Sequence, residues 1–172
     1  MDNVMRQPRI EKITLNIGAG NDQKKLEKGV SLIKAITGID PVKTVTQKRI
    51  PNWGLRPGLP IGCKLTLRKA AAIDLLKRLL VAKEHKLKPQ QFDAGGNISF
   101  GIPEYIEIPG VAYDPTIGIM GLEVCVTLER PGYRIKRRRI RQKKVPASHA
   151  VTKQDAMTFM QKNFNVKVGE VE

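Results

Sequence analysis

The stretch Ile10–Thr37 reads IEKITLNIGAGNDQKKLEKGVSLIKAIT, and its apolar period changes half-way along. Ile13, Leu15 and Ile17 alternate with Lys12, Thr14 and Asn16, the two-residue repeat of a strand with one buried face. Gly18-Ala19-Gly20 turns the chain. From Gln23 to Thr37 the apolar positions are Leu26, Val30, Ile33 and Ile36 or Thr37, the stripe of an amphipathic helix. Asn21 or Asp22 is placed to cap its start, and Gly38 to stop it. The unit is a strand followed by a helix that covers the strand's apolar side. The polar side, Lys12, Thr14 and Asn16, is left facing outward.

Working outward, Val42–Lys48 reads as a second strand, rich in Val and Thr. Arg49–Pro60, RIPNWGLRPGLP, carries three Pro and two Gly and must be a loop. Ile61–Arg68 predicts a third strand, with Ile61, Cys63, Leu65 and Leu67 inward and Lys64, Thr66 and Arg68 outward. Lys69–Lys83 predicts a helix burying Ala72, Ile73, Leu76, Leu79 and Leu80. Asn97–Gly101 and Tyr105–Ile108 look like short strands, with turn chemistry in Asp93–Asn97. Leu122–Leu128 alternates cleanly, and Pro131-Gly132 ends it. A last helix starts near Lys153, capped by Thr152 with Asp155 three residues on. Its apolar side is Ala156, Phe159, Met160 and Phe164. This order predicts one α+β domain of two layers, a mainly antiparallel sheet with helices on one face. A basic extended segment at about 131–151 precedes the C-terminal helix at about 153–164.

Charge indicates the partner. Among 172 residues there are 31 Lys+Arg against 16 Asp+Glu, a net charge of +15. Between Arg134 and Lys144, 8 of 11 residues are basic (Arg134, Lys136, Arg137, Arg138, Arg139, Arg141, Lys143 and Lys144), and removing them leaves +7. Body and segment therefore both favour a polyanion. Eight like charges should keep the segment extended until it is bound. The same run has the composition of a nuclear localisation signal. It is too polar for a membrane-surface helix, and no apolar stretch reaches the length of a membrane span. With no apolar leader in MDNVMRQPRIEK, the expected location is cytoplasmic.

Enzyme and cofactor chemistries find little support. Cys63 and Cys125 match no zinc or CxxC spacing, and His85 and His149 stand alone. The Gly18-x-Gly20 turn lacks the third glycine of a dinucleotide fingerprint, since Gln23 occupies it. There is no P-loop and no Gly-x-Ser-x-Gly. Neither a metal nor a cofactor is expected. Aromatic residues are 5% of the chain, too sparse for a base-stacking platform. A reader of folded RNA by shape and backbone fits better. Its contact residues would be Lys12, Thr14, Asn16, Lys64, Thr66 and Arg68 on the free face, although an ordinary solvated sheet face has the same pattern. Trp53 in the Pro/Gly-rich loop is a second candidate for exposure.

The segments RIEKITLNIGAG, KTVTQKRIPNWGLRPGLPIGCKLTLR, FDAGGNISFGI and LERPGYRIKRRR resemble the large-subunit ribosomal protein that holds 5S rRNA, the L-five family. The likeness runs from about residue 6 to residue 168, and Arg56–Arg68 is its most specific block. The start of the chain resembles the archaeal branch, and the basic extension after Pro131-Gly132-Tyr133 is similar to archaeal and eukaryotic members. The resemblance implies a non-catalytic protein that helps attach 5S rRNA to the central protuberance, beside large-subunit rRNA and other ribosomal proteins. It also implies a contact with the small-subunit head and a loop near the peptidyl-site tRNA. Asn16 and Thr66 match family positions that touch 5S rRNA. A third such position is often Gln in bacterial members and is Ile39 here, a departure from the pattern. Lys48–Pro60 matches the loop near tRNA, placing Lys48, Arg49, Asn52, Trp53 and Arg56 there. Arg134, Lys136, Arg137, Arg138, Arg139 and Arg141 are the rRNA contacts expected of the basic segment.

Overall fold

A computed structural model describes residues 3–169. The elements run β1 (Arg9–Gly18), α1 (Gln23–Thr37), β2 (Val42–Val45), β3 (Pro60–Leu67), α2 (Lys69–Ala82), β4 (Lys86–Leu87), β5 (Ile98–Ile102), β6 (Leu122–Glu129), α3 (Arg134–Arg137), α4 (Lys153–Phe164) and β7 (Lys167–Val168). Five strands form one sheet in the order β2-β3-β1-β6-β5, all pairs antiparallel, and β4 with β7 makes a small parallel pair. β1, first in sequence, lies in the middle. It pairs Asn16 with Lys64 on one side and with Glu123 on the other.

The alternation read from the sequence sets the two faces. Ile13, Leu15 and Ile17 of β1 are buried with Cys63 and Leu65 of β3 and Val124, Val126 and Leu128 of β6. α1 and α2 cover this face through Leu26, Leu32, Ile33, Ile36, Leu75, Leu76, Leu79 and Leu80. Burying each such side chain contributes about 1.5–3 kcal/mol. Asp22 caps α1, its carboxylate accepting from the Lys24 and Lys25 N–H groups, and Gly38 closes it at φ 73. Gly29 packs closely where α1 meets the sheet: a Cβ there would lie 3.1 Å from Ile17 Cγ2 and 3.3 Å from Cys63 Sγ, so those side chains would have to give by a few tenths of an ångström.

Several expectations are corrected. Tyr105–Ile108 is not a strand. Tyr105–Glu107 is a 3-10 turn, and the Tyr105 ring is buried with its hydroxyl accepting from Asp114 N–H at 2.9 Å. β2 stops at Val45, because the chain leaves the sheet to begin the loop. Ile73 is exposed, and Leu75 takes its place on the buried face of α2. The basic segment is not simply extended: it contains α3 and a 3-10 turn at Ala147–His149.

Candidate nucleic-acid interface

α1 and α2 cover the inner face, and the short α3 reaches the outer face only at its Arg9 end, through Arg137. From β3 this face presents Lys64 and Thr66, and from β1 Lys12, Thr14 and Asn16. The register adds Cys125 and Thr127 of β6 and Ser99 of β5. Lys64, Ser99 and Cys125 are exposed and the others half-buried. The Thr14 and Thr66 hydroxyls lie 3.4 Å apart in the middle of this face. Asn16 Nδ2 donates to Glu123 Oε2 at 3.0 Å, so the amide is held in place with its carbonyl oxygen free of that bond. Arg68, just past β3 at the cap of α2, is exposed. Five of the six residues expected on the free face therefore share it, and Arg68 lies just beyond the strand. Sequence reasoning named only the β1 and β3 members. The alternation of Leu122–Leu128 carries the same signal for Cys125 and Thr127.

Cys125 is a free thiol, and its pKa is pushed up by burial and by the Glu123 carboxylate. It is held as a neutral hydrogen-bonding group rather than a nucleophile. Among the described residues no group of His, Cys, Asp and Glu could hold a metal ion. His85 and His149 are both half-buried. Their ring N–H groups donate to backbone carbonyls, Nδ1 of His85 to Phe164 at 3.1 Å and Nε2 of His149 to Pro131 at 2.8 Å.

Two cationic features flank this face, at opposite ends of β1. At the Gly18 end, the loop between β2 and β3 is ordered. Thr46 N–H donates to Leu59 O, Ile50 and Leu55 form a bridge, and Leu55 is buried as its anchor. Pro51–Trp53 makes a 3-10 turn that lifts Trp53 to 68% exposure. Lys48, Arg49, Asn52 and Arg56 are exposed around it.

At the Arg9 end lies the basic segment. After the α3 turn the chain doubles back. Lys143 N–H donates to Ile135 O, Gln142 Nε2 to Lys136 O at 2.5 Å, and Arg138 Nε to Arg141 O at 2.7 Å. Arg141 takes φ 53 to close the turn, which costs a non-glycine residue about 1–2 kcal/mol. Arg134, Arg138, Arg139 and Arg141 are exposed. Arg137 turns onto the protein instead: one guanidinium nitrogen meets Glu11 Oε1 at 2.7 Å and the other Glu129 Oε2. Arg9 shares Glu129 at 2.8 Å.

This geometry matches a known group of proteins. Residues 3–56 match the family model described as Ribosomal protein L5, and residues 60–159 match the model for the C-terminus of that ribosomal family. The chain belongs to the ribosomal protein L5 family. Relatives called large ribosomal subunit protein uL5 agree with it over nearly their whole length. That of Sulfolobus acidocaldarius is 47% identical over 98% of this chain and 95% of its own. That of Nanoarchaeum equitans is 49% identical over 98% and 99%, and that of Methanosphaera stadtmanae 46% over 96% and 99%. These are archaea, so the archaeal resemblance holds. This is a family of ribosomal proteins, not of enzymes. Its two matched regions share one sheet here, since β1 and β2 come from the first and β3, β5 and β6 from the second.

Proposed function

We propose that this protein is a constituent of the large ribosomal subunit that binds 5S rRNA through the outer sheet face and anchors further rRNA with the basic segment. The observation that carries the reading is the uncovered face itself. It juxtaposes Thr14, Asn16, Lys64 and Thr66, short hydrogen-bonding groups beside a cation, with no helix over them among the described residues. Such a set suits ribose hydroxyls and phosphates. The relatives' shared name places them in the large subunit, and this chain would work there, in the cytoplasm. Contacts with peptidyl-site tRNA through Trp53 and Arg56, and with the small-subunit head, belong to the same proposal.

Replacing Asn16 and Thr66 together by Ala is expected to weaken binding of a 5S rRNA transcript about thirtyfold, at about 1 kcal/mol for each lost hydrogen bond. The circular dichroism spectrum should stay unchanged. Undiminished affinity in a filter-binding titration would remove the sheet face from the interface.

A further inference from the structure

We infer that Glu11 and Glu129, two acidic residues, are positioning residues for RNA binding: they dock the cationic loop onto the end of the sheet face, so that loop and face form one surface. The inference rests on the reading that both contact RNA. Along β6 the outward positions are Glu123, Cys125, Thr127 and Glu129. Glu129 therefore belongs to the RNA-facing side, yet its side chain is only 8% exposed. Arg9 and Arg137 cover it. Glu11 lies at the irregularity between Ile10 and Lys12, where the β1–β6 register shifts. That shift offers its carboxylate to the same Arg137 at 2.7 Å. One guanidinium thus spans two carboxylates on neighbouring strands, a fork that a lysine could not reproduce.

The loop needs such a hold. It concentrates eight positive charges, and Arg141 is in a left-handed conformation. Repulsion and strain both favour opening. Arg137 is the member of the run that is bound to carboxylates, while Arg134, Arg138 and Arg139 are exposed around Ile140, which is itself 76% exposed. The clamp sacrifices one cation and fixes the bearing of the others before RNA arrives. This pre-organisation lowers the ordering cost of binding.

The inference opposes the simplest electrostatic expectation. Changing Glu11→Gln and Glu129→Gln raises the net charge by two, which alone would tighten RNA binding. The clamp reading requires weaker binding. For the double variant we expect about tenfold weaker affinity for a 5S rRNA transcript and a shallower slope of log K against log salt, since fewer phosphates are met at once. Trypsin should cut after Arg138, Arg139 and Arg141 about tenfold faster. Arg137→Ala should have the same effects, and adding Glu129→Gln to it should weaken binding no further. Thermal unfolding checks the fold. If Glu129→Gln is unstable, Glu11→Gln alone, at a bulge, should act in the same direction by several-fold. Tighter binding or an unchanged tryptic rate overturns the positioning role. If deleting 134–144 weakens RNA binding but the glutamine variants do not, that role alone falls. If the deletion leaves affinity unchanged, the RNA reading of the loop falls and the positioning role with it.

Discussion

Gly62 shows how tightly the sheet is set at single positions. A Cβ on it would lie 2.7 Å from Ile17 O and 3.0 Å from Thr44 Oγ1. Both contacts are across the strands that flank β3, so a side chain would push β1 or β2 away. Gly62→Ala is expected to lower stability by about 1–3 kcal/mol. A fall in the urea midpoint at constant slope would show it, and an unchanged midpoint would mean that the strands separate freely there. Because Gly62 adjoins the chain leaving the loop, the same variant should also disorder Trp53. Trp53→Ala with Arg56→Ala acts elsewhere. Both side chains are exposed, so 5S rRNA affinity should stay within about twofold, as for surface changes outside an interface. Translation by reconstituted ribosomes should fall. Lost 5S binding would instead move that loop onto the sheet-face interface.

Among the elements, α4 carries a pH dependence that can be read from its cap. Thr152 Oγ1 accepts from Asp155 N–H, and Asp155 Oδ2 accepts from Thr152 N–H and from Arg130. Burial works to raise the Asp155 pKa, but the Thr152 hydrogen bonds and the Arg130 charge outweigh it and hold the carboxyl below its ordinary value. A carboxyl depressed in the folded state gives stability that is fully present above the unfolded value, about 3.9, and lost as pH falls through the folded one. The attachment of α4 should therefore loosen below about pH 4. Asp155→Asn should flatten the acid limb of the unfolding curve, and Thr152→Ala should cost about 1 kcal/mol at neutral pH. An acid limb unchanged by Asp155→Asn would sink this account.

This cap is legible in the sequence, as are β1, α1, β3 and β6, because each is set by local period or by residues three apart. Tyr105–Ile108 misleads because alternating large residues look like a strand, whereas its hydroxyl partner, Asp114, lies in a non-repetitive loop. Ile73 misleads because Ile73 and Leu75 have near-equal claims on the α2 stripe. The folded form of the basic segment is not legible at all. Its charges predict repulsion, and the carboxylates that overcome it, Glu11 and Glu129, are 126 and 8 residues from Arg137. Only the antiparallel pairing of β1 with β6 brings them together.

At the scale of the molecule, the surface has an order along β1. The exposed Trp53 loop lies at one end, the neutral hydrogen-bonding face in the middle, and the arginine loop at the other. β1 has ten residues, so the two ends are about 30 Å apart, a span that a compact folded RNA can bridge. A protein that used only its net charge would not discriminate among polyanions. One with a fixed face should. Labelled 5S rRNA is therefore expected to resist competition by duplex DNA at moderate salt by at least about tenfold. Equal competition would reduce the protein to a general nucleic-acid compactor.

The central place of β1 also governs how the chain comes to be folded. β1 is synthesised before its neighbours, and Arg9 must wait for Glu129 to pair. Until residues 122–129 emerge, one whole edge of β1 has its backbone groups unpaired and its Ile13, Leu15 and Ile17 row half-covered. Contacts this distant in sequence make folding slow, and an open strand edge is a template for aggregation. A nascent chain paused before Leu122 should therefore be the most aggregation-prone species this gene product passes through, and the surface that Glu129 completes closes only after β6 has emerged.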